Sequence, residues 1–300
     1  MPKIVEAIGK MINENMDFQE GLEERYQRYR GILKNFTIMN DTFMRNVFKE
    51  PKCLETVLQI ILDKKELHVI DQVIQKDYKN LQGRSAILDC VARDSEGKQI
   101  DVEIQQDSEG ASPKRARYHS GLMDMNTLNP GQDFEKLPES YVIFITRDDV
   151  LGFDLPIYHI DRKIEEVGQK FSDEAHIIYV NSRKQEDSEL GRLMHDLHCK
   201  NASDMYNKTL ADRVHELKET AEGVKAMCKE MDIIYNEGVE KGMEKGMERG
   251  IKRGIEAGIT VAKKETAINL SNMLNAEAIA NAVKVDVETV KKWLAEAKNK

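Results

Sequence analysis

The stretch from Ile87 to Gln105, ILDCVARDSEGKQIDVEIQ, carries side chains that can do chemistry. Ile87 to Val91 reads as one strand, DSEGK as a turn, and Ile100 to Gln105 as the returning strand. Side chains alternate faces along a strand, so Asp101, Glu103 and Gln105 share the face opposite Val102 and Ile104. Asp89 stands on the facing strand, where neighbouring strands run about 4.8 Å apart, and an easy register brings it near Glu103. Two carboxylates held that close repel, and each favours a proton or a cation. Hard oxygen donors at this spacing suit Mg²⁺. Such a cation lowers the pKa of a bound water and polarises a phosphodiester. The same pattern also describes an edge hairpin with its polar face in water. On that reading Asp101 in particular is a solvent or rim residue.

Other elements must hold the hairpin in place. NDTFMRNVF starts a helix, with Asn40 or Asp41 as its cap and Phe43 and Val47 on its apolar side. Pro51 suits the first turn of the next helix, whose stripe is Leu54, Val57, Leu58, Ile61 and Leu62. LHVIDQVI is short and apolar and fits strand or helix. A helix is expected from about Pro113. Val142 to Ile145 is β-branched and aromatic, the clearest buried strand, and HIIYVNSR is another. DLPIYHIDRKIEE holds a short strand or a loop. SELGRLMHDLHC and residues 203–235 read as helical. Helices on one side of a mixed sheet make an α/β or α+β domain.

The totals bound the answer. A chain of 300 residues has room for one sizeable core and one or two appended units. No run is long and apolar enough for a membrane span, and no signal-peptide pattern is read at the N-terminus. The four cysteines, Cys53, Cys90, Cys199 and Cys228, form no C-x-x-C pair, which argues against a zinc knuckle and fits a reduced cytoplasm. The net charge of −8 lowers the expectation of a general nucleic-acid binder, although bound metal and a local basic patch can carry such a contact. His159, His176, His195 and His198 show no metal-ligand partner pattern and read as structural or surface residues.

ILDCVARDSEGKQIDVEIQ resembles the active-site hairpin of the PD-(D/E)XK nuclease-family transposases, also called recombination-promoting nucleases. NDTFMRNVFKE is similar to that family's opening D-x-x-F-x-x-x-F helix. KRARYHSGLM is similar to its R-x-x-Y helix, with YVIFIT following in order. The resemblance covers roughly residues 38–235. It implies an α/β, restriction-endonuclease-like mixed sheet flanked by helices, with a helical C-terminal tail. It implies Asp89 and Glu103 as ligands of Mg²⁺ (or Mn²⁺), and Gln105 in the place where the wider superfamily usually has Lys. A glutamine can orient water or phosphate but supplies no positive charge. A further acidic site residue is implied on a helix before the sheet. Asp41 and Glu55 are the candidates, read otherwise as a cap and a surface glutamate. Lys114, Arg115 and Arg117 suit phosphate contacts or form a solvated helix face. Tyr118 stacks on a base or simply packs. His119 titrates in the range for proton transfer but is not assigned a catalytic role.

EGVEKGMEKGMERGIKRGIEAGI places Gly at 238, 242, 246, 250, 254 and 258. On a helix each four-residue step drifts about 40°, and each interior glycine costs roughly 1 kcal/mol against alanine. The segment is either a self-associating helix ordered in a homo-oligomer or a semi-flexible spacer. AEAIANAVKVDVETVKKWL resembles a helix-turn-helix, with Trp293 in its core. Thr289, Lys291 or Lys292 would read DNA, or the unit is a small packing module. The expected organisation is an N-terminal helical extension (1–36), a nuclease-like domain (37–235), the glycine ladder (236–264) and a small helical unit (265–300). Two functions fit: a cytoplasmic, Mg-dependent deoxyribonuclease of mobile-element or recombination-promoting type acting on DNA, or a catalytically inactive oligomeric scaffold or DNA-binding protein that retains the fold.

Overall fold

A computed structural model describes residues 21–78, 84–106 and 108–298. The expected N-terminal extension lies outside the described residues up to position 20. By packing, the chain divides into two units, one ending at Met231 and the other beginning at Asp232.

The first unit opens with α1, helical over residues 21–33, then α2 (Asp41–Phe48) and α3 (Pro51–Ile61). Strands β1 (Val69–Tyr78), β2 (Ala86–Asp94) and β3 (Gln99–Gln105) follow, then α4 (Pro113–Met125) and β4 (Ser140–Thr146). Next come β5 (Ile157–Ile160), the short pair β6 (Lys163–Ile164) and β7 (Gln169–Lys170), and β8 (Ala175–Asn181). Helices α5 (Glu189–His198) and α6 (Lys208–Glu219) and the start of α7 (Ala221–Leu270) complete it. LHVIDQVI therefore resolves as the start of β1, and DLPIYHIDRKIEE as β5 and the beginning of the β6–β7 ribbon.

The main sheet has the order β1-β2-β3-β4-β8-β5. The β1–β2 and β2–β3 pairs are antiparallel, β3–β4 and β4–β8 are parallel, and β5 returns antiparallel on β8. The turn into β3 is built by Asp94, whose Oδ1 accepts the N–H groups of Glu96 and Lys98, and by Gly97 at φ 88°. β3 is consequently an interior strand, and both of its faces need a cover. Ile100, Val102 and Ile104 join Phe43, Leu54, Leu58, Leu193 and Leu210 in the larger core. On the opposite face α4 contributes Ala116, Leu122 and Met123 to a second cluster with Val91, Val142, Phe144 and Tyr179. Helices thus cover both faces of the mixed sheet, not one, as a restriction-endonuclease-like core requires. The interior place of β3 also corrects the edge-hairpin reading, because the polar face of β3 meets α4 instead of water.

The second unit has its own small core. Ala267 of α7, Ile279, Ala280 and Val283 of α8 (Ala276–Val283), and Val290 and Trp293 of α9 (Val287–Lys298) pack together. α8 ends at Lys284 in left-handed backbone. Asp286 accepts the Thr289 N–H and so caps α9. The glycine ladder lies within the continuous helix α7. No helix among the described residues is long and apolar enough to cross a membrane.

One close approach fixes the turn from α6 into α7. A Cβ at Gly223 would overlap the Glu216 carbonyl oxygen, which is backbone and cannot swing aside. Gly223→Ala should therefore lower stability by about 1–3 kcal/mol, the usual cost of overpacking. The midpoint of urea unfolding reads this, and an unchanged midpoint would mean that the turn relaxes freely.

Candidate active site

The regular β2–β3 ladder runs from Arg93↔Gln99 to Cys90↔Val102. At the next position the strands exchange backbone bonds for carboxylate bonds. The Asp89 N–H donates to Glu103 Oε1 at 2.9 Å, and the Ile104 N–H donates to Asp89 Oδ2 at 3.4 Å. The backbone is irregular here for a visible reason. β1 pairs Ile74 with Cys90 and Lys76 with Leu88, and between them Gln75 adopts left-handed backbone at φ 55°. Leu88 and Cys90 then fall in clusters on opposite faces of the sheet, although residues two apart share a face in a regular strand. The disturbance centres on Asp89 and brings its carboxylate to the rim of the hairpin beside Glu103.

α4 closes the site from above. Ser112 caps it by accepting the Arg115 N–H, and Pro113 occupies its first turn. Arg115 and His119 are one turn apart and face the same way. Arg115 Nη2 lies 3.2 Å from Glu103 Oε2, and its Nε donates to His119 Nε2 at 3.2 Å. With Nε2 accepting, Nδ1 carries the proton and points at Asp101 Oδ2, 3.1 Å away, with Glu103 Oε1 at 3.7 Å. Burial holds the His119 pKa below its ordinary value, which keeps the ring neutral. Gln105 Nε2 donates to Glu103 Oε2 at 3.3 Å.

Three carboxylates share this space. Asp101 and Glu103 are both completely buried. Burial, then the charges of Asp101 and Asp89, push Glu103 up to about 8. Burial, then Asp41, pushes Asp89 up to about 6. Asp101 is raised well above the carboxylate range, again by burial first and by Asp89 second. Asp101 Oδ1 is buried and has no hydrogen-bond partner among the described residues. Such an atom lacks a proton donor or a cation. Ligand atoms of Asp101, Glu103 and His119 lie within 4.8 Å of one another, a cluster consistent with divalent-metal coordination. Both ring nitrogens of His119 are already engaged, so the carboxylate oxygens of Asp101 and Glu103 are the hard donors that this cluster offers to a cation.

The other sequence candidates fall in different places. Asp41 is not a capping side chain. It is the first residue of α2, pairs with Arg45 at 2.7 Å and stands close enough to raise Asp89. Gln106 Nε2 bonds the Met39 carbonyl and ties the end of β3 to the approach to α2. Glu55 accepts the Val69 N–H at 3.0 Å and meets Lys52 and His68, so it braces the start of β1, which pairs with the turn end of β2. Lys114 and Arg117 are exposed. The Tyr118 hydroxyl donates to the Arg84 carbonyl. The reading of Asp101 as a solvent or rim residue is wrong, because β4 pairs along β3 and α4 roofs it. Asp101 and His119 are the site residues that sequence reasoning passed over. The i, i+4 spacing of Arg115 and His119 on a helix following an acidic strand was the available signal.

Raised carboxyl pKa values set the sign of a pH effect. Asp101 binds its proton more tightly folded than unfolded, so its contribution is fully present below the unfolded pKa of about 4 and is lost as pH rises toward the folded value. In chelator-treated protein, the stability of Asp101→Asn relative to wild type should therefore grow by at least about 1 kcal/mol between pH 4 and pH 7.5, the worth of one pKa unit. Parallel urea titrations across that range decide it, and equal slopes would mean that Asp101 carries no such penalty.

A family model described as PD-(D/E)XK nuclease family transposase matches residues 40–237, well over half of the chain and all of the hairpin, α4 and the sheet. Comparison with curated proteins and with solved structures finds no match. With the hairpin carboxylates, the mixed sheet and the family match in agreement, the chain belongs to the PD-(D/E)XK nuclease family transposases.

Proposed function

We propose that the chain is a metal-dependent DNA endonuclease of mobile-element or recombination-promoting type, hydrolysing phosphodiester bonds. The observation that carries the reading is the buried cluster of Asp101, Glu103 and His119 beside Asp89, with Asp101 Oδ1 buried and unpartnered among the described residues. Carboxylates in that state favour a divalent cation, and all-oxygen donors favour Mg²⁺ or Mn²⁺. Asp89 and Glu103 are the principal ligands, and Asp101 completes the anionic set. When bound, the cation supplies Lewis acidity toward a phosphate oxygen and toward water.

The chain's own groups do the rest. Gln105 orients water or a phosphate oxygen through its amide. It brings no charge, and Arg115, which already reaches Glu103 Oε2, supplies the positive charge at that point. The Arg115 side chain is 39% exposed, so a phosphate can reach the fork of its guanidinium. Lys114 and Arg117 extend the same positive strip along α4 for the flanking DNA backbone, with Tyr118 beside them. His119 and Asp101 hold Arg115 in register. Of the two upstream acids, Asp41 is the one whose charge reaches Asp89. The exposed Val239, Met243, Met247, Ile251, Ile255 and Ile259 of α7 support self-association through the tail.

Plasmid relaxation by the purified chain tests this reading. Nicking should require Mg²⁺ or Mn²⁺ and should fall by at least about 100-fold in Asp89→Ala and Glu103→Ala, with circular dichroism unchanged. Metal-dependent cleavage that persists in both variants would sink the assignment. No cleavage and no Mg²⁺ binding in wild type would favour the inactive scaffold. The role of Gln105 has its own test. A Cβ at Gly110 would overlap Gln105 Oε1, the movable end of a side chain. Gly110→Ala should displace that amide and slow cleavage while changing stability by less than about 0.5 kcal/mol.

A further inference from the structure

The end of α5 gathers a second set of potential ligands, different in kind from the hairpin carboxylates. His195 and the C-cap residue Cys199 are four positions apart and share a helix face. His195 Nδ1 lies 3.4 Å from Cys199 Sγ and 3.4 Å from Asp196 Oδ1. Ligand atoms of the three residues all lie within 4.8 Å of one another. The Asp204 carbonyl oxygen stands 3.6 Å from the same sulfur. One Nδ1–H can serve either the sulfur or the carboxylate, whereas a cation among them satisfies all.

The separations carry the identity of that cation. Zinc–sulfur bonds of about 2.3 Å and zinc–nitrogen or zinc–oxygen bonds of about 2.0–2.1 Å, at tetrahedral angles, give S···N edges of about 3.5 Å and N···O edges of about 3.4 Å. The two short edges seen here match, and the imidazole, whose Nε2 stands 3.9 Å from the same sulfur, must turn about its Cβ–Cγ bond to aim the Nδ1 lone pair at the ion. Thiolate and imidazole select zinc and its neighbours over magnesium. A thiolate and a carboxylate together neutralise a dication. Asp196 is fully buried, and its two oxygens accept the N–H groups of Tyr206 at 2.8 Å and Asn207 at 2.7 Å. Outer hydrogen bonds of this kind fix the orientation of a ligating carboxylate.

We propose that His195, Asp196 and Cys199, with the Asp204 carbonyl as fourth donor, form a binding site for a zinc-type transition-metal ion. The ion ties the end of α5 to residues 200–207, the segment that leads into α6 and sets Ala202 and Met205 against the larger core. The site is structural, and its occupancy is independent of the hairpin.

Cobalt(II) is the probe. The full-length chain is stripped with chelator and titrated in the presence of excess Mg²⁺. A sulfur-to-cobalt charge-transfer band with visible absorption of tetrahedral strength is expected, displaced by zinc. Cys199→Ser should abolish the band. His195→Ala, altering a partly exposed side chain, should weaken binding by more than the about 10–100-fold typical of an outer-shell change. Glu103→Ala should leave the band intact. No sulfur band in wild type overturns the site, as does a band that survives Cys199→Ser. If Cys199→Ser fails to fold, undiminished cobalt affinity in His195→Ala overturns it equally.

Discussion

The structure depends on two buried carboxylates, Asp101 and Glu103, held with the half-buried Asp89 at one end of a hairpin. Removing a charged carboxylate from water is costly unless it is paired and hydrogen-bonded. Here Asp89 raises the proton affinity of both Asp101 and Glu103, and Asp101 raises that of Glu103, each after the larger effect of burial. The partners that surround them come from separate parts of the chain. Two backbone N–H groups are freed where the β2–β3 ladder stops, and a guanidinium and a neutral imidazole arrive on α4. These offset part of the cost. The unsatisfied Asp101 Oδ1 marks the part they leave.

That burial follows from the sheet order. β3 lies between β2 and β4, and its parallel register with β4 sets Glu103 beside Phe144 and Asp101 beside Val142. Phe144 stacks on Tyr179 and lies against the His119 ring. The apolar packing that seats α4 is therefore continuous with the contacts that aim His119 and Arg115. A one-residue slip of β3 would send Ile100, Val102 and Ile104 under α4 and the acids into the larger core. The large apolar set on the other face makes that slip prohibitive, and the core in this way fixes the site.

Much of this was legible in the residues. Alternation in QIDVEIQ fixed which acids share a face, the DSEGK turn fixed the hairpin, and β-branched runs marked β4 and β8. What alternation cannot reveal is the third strand. β4 lies some forty residues beyond β3, and only its pairing turns a half-exposed hairpin into an interior one. Asp101 was misread for that reason. His119 gains its meaning from Asp101 and Arg115 together, which a pattern within one helix does not show. For Glu55, nearness to an apolar stripe says that it approaches the sheet but not which end of β1 it meets.

Gln105 shows how the missing charge is redistributed. A lysine at that position would carry its cation on the same strand as Glu103, fixed by the pleat. Here the cation nearest Glu103 is Arg115, on a helix whose position depends on the Ser112 cap, on Pro113 and on the packing of Leu122 and Met123. Its orientation is held by His119, which is held in turn by Asp101. The buried aspartate thus acts on both sides of the site, as a third acid facing the other carboxyl groups and as the anchor of the chain that positions the cation. A strand-borne lysine would need neither the histidine nor the third acid. Their joint presence, two residues from Glu103 and one helical turn from Arg115, is the physical counterpart of the glutamine.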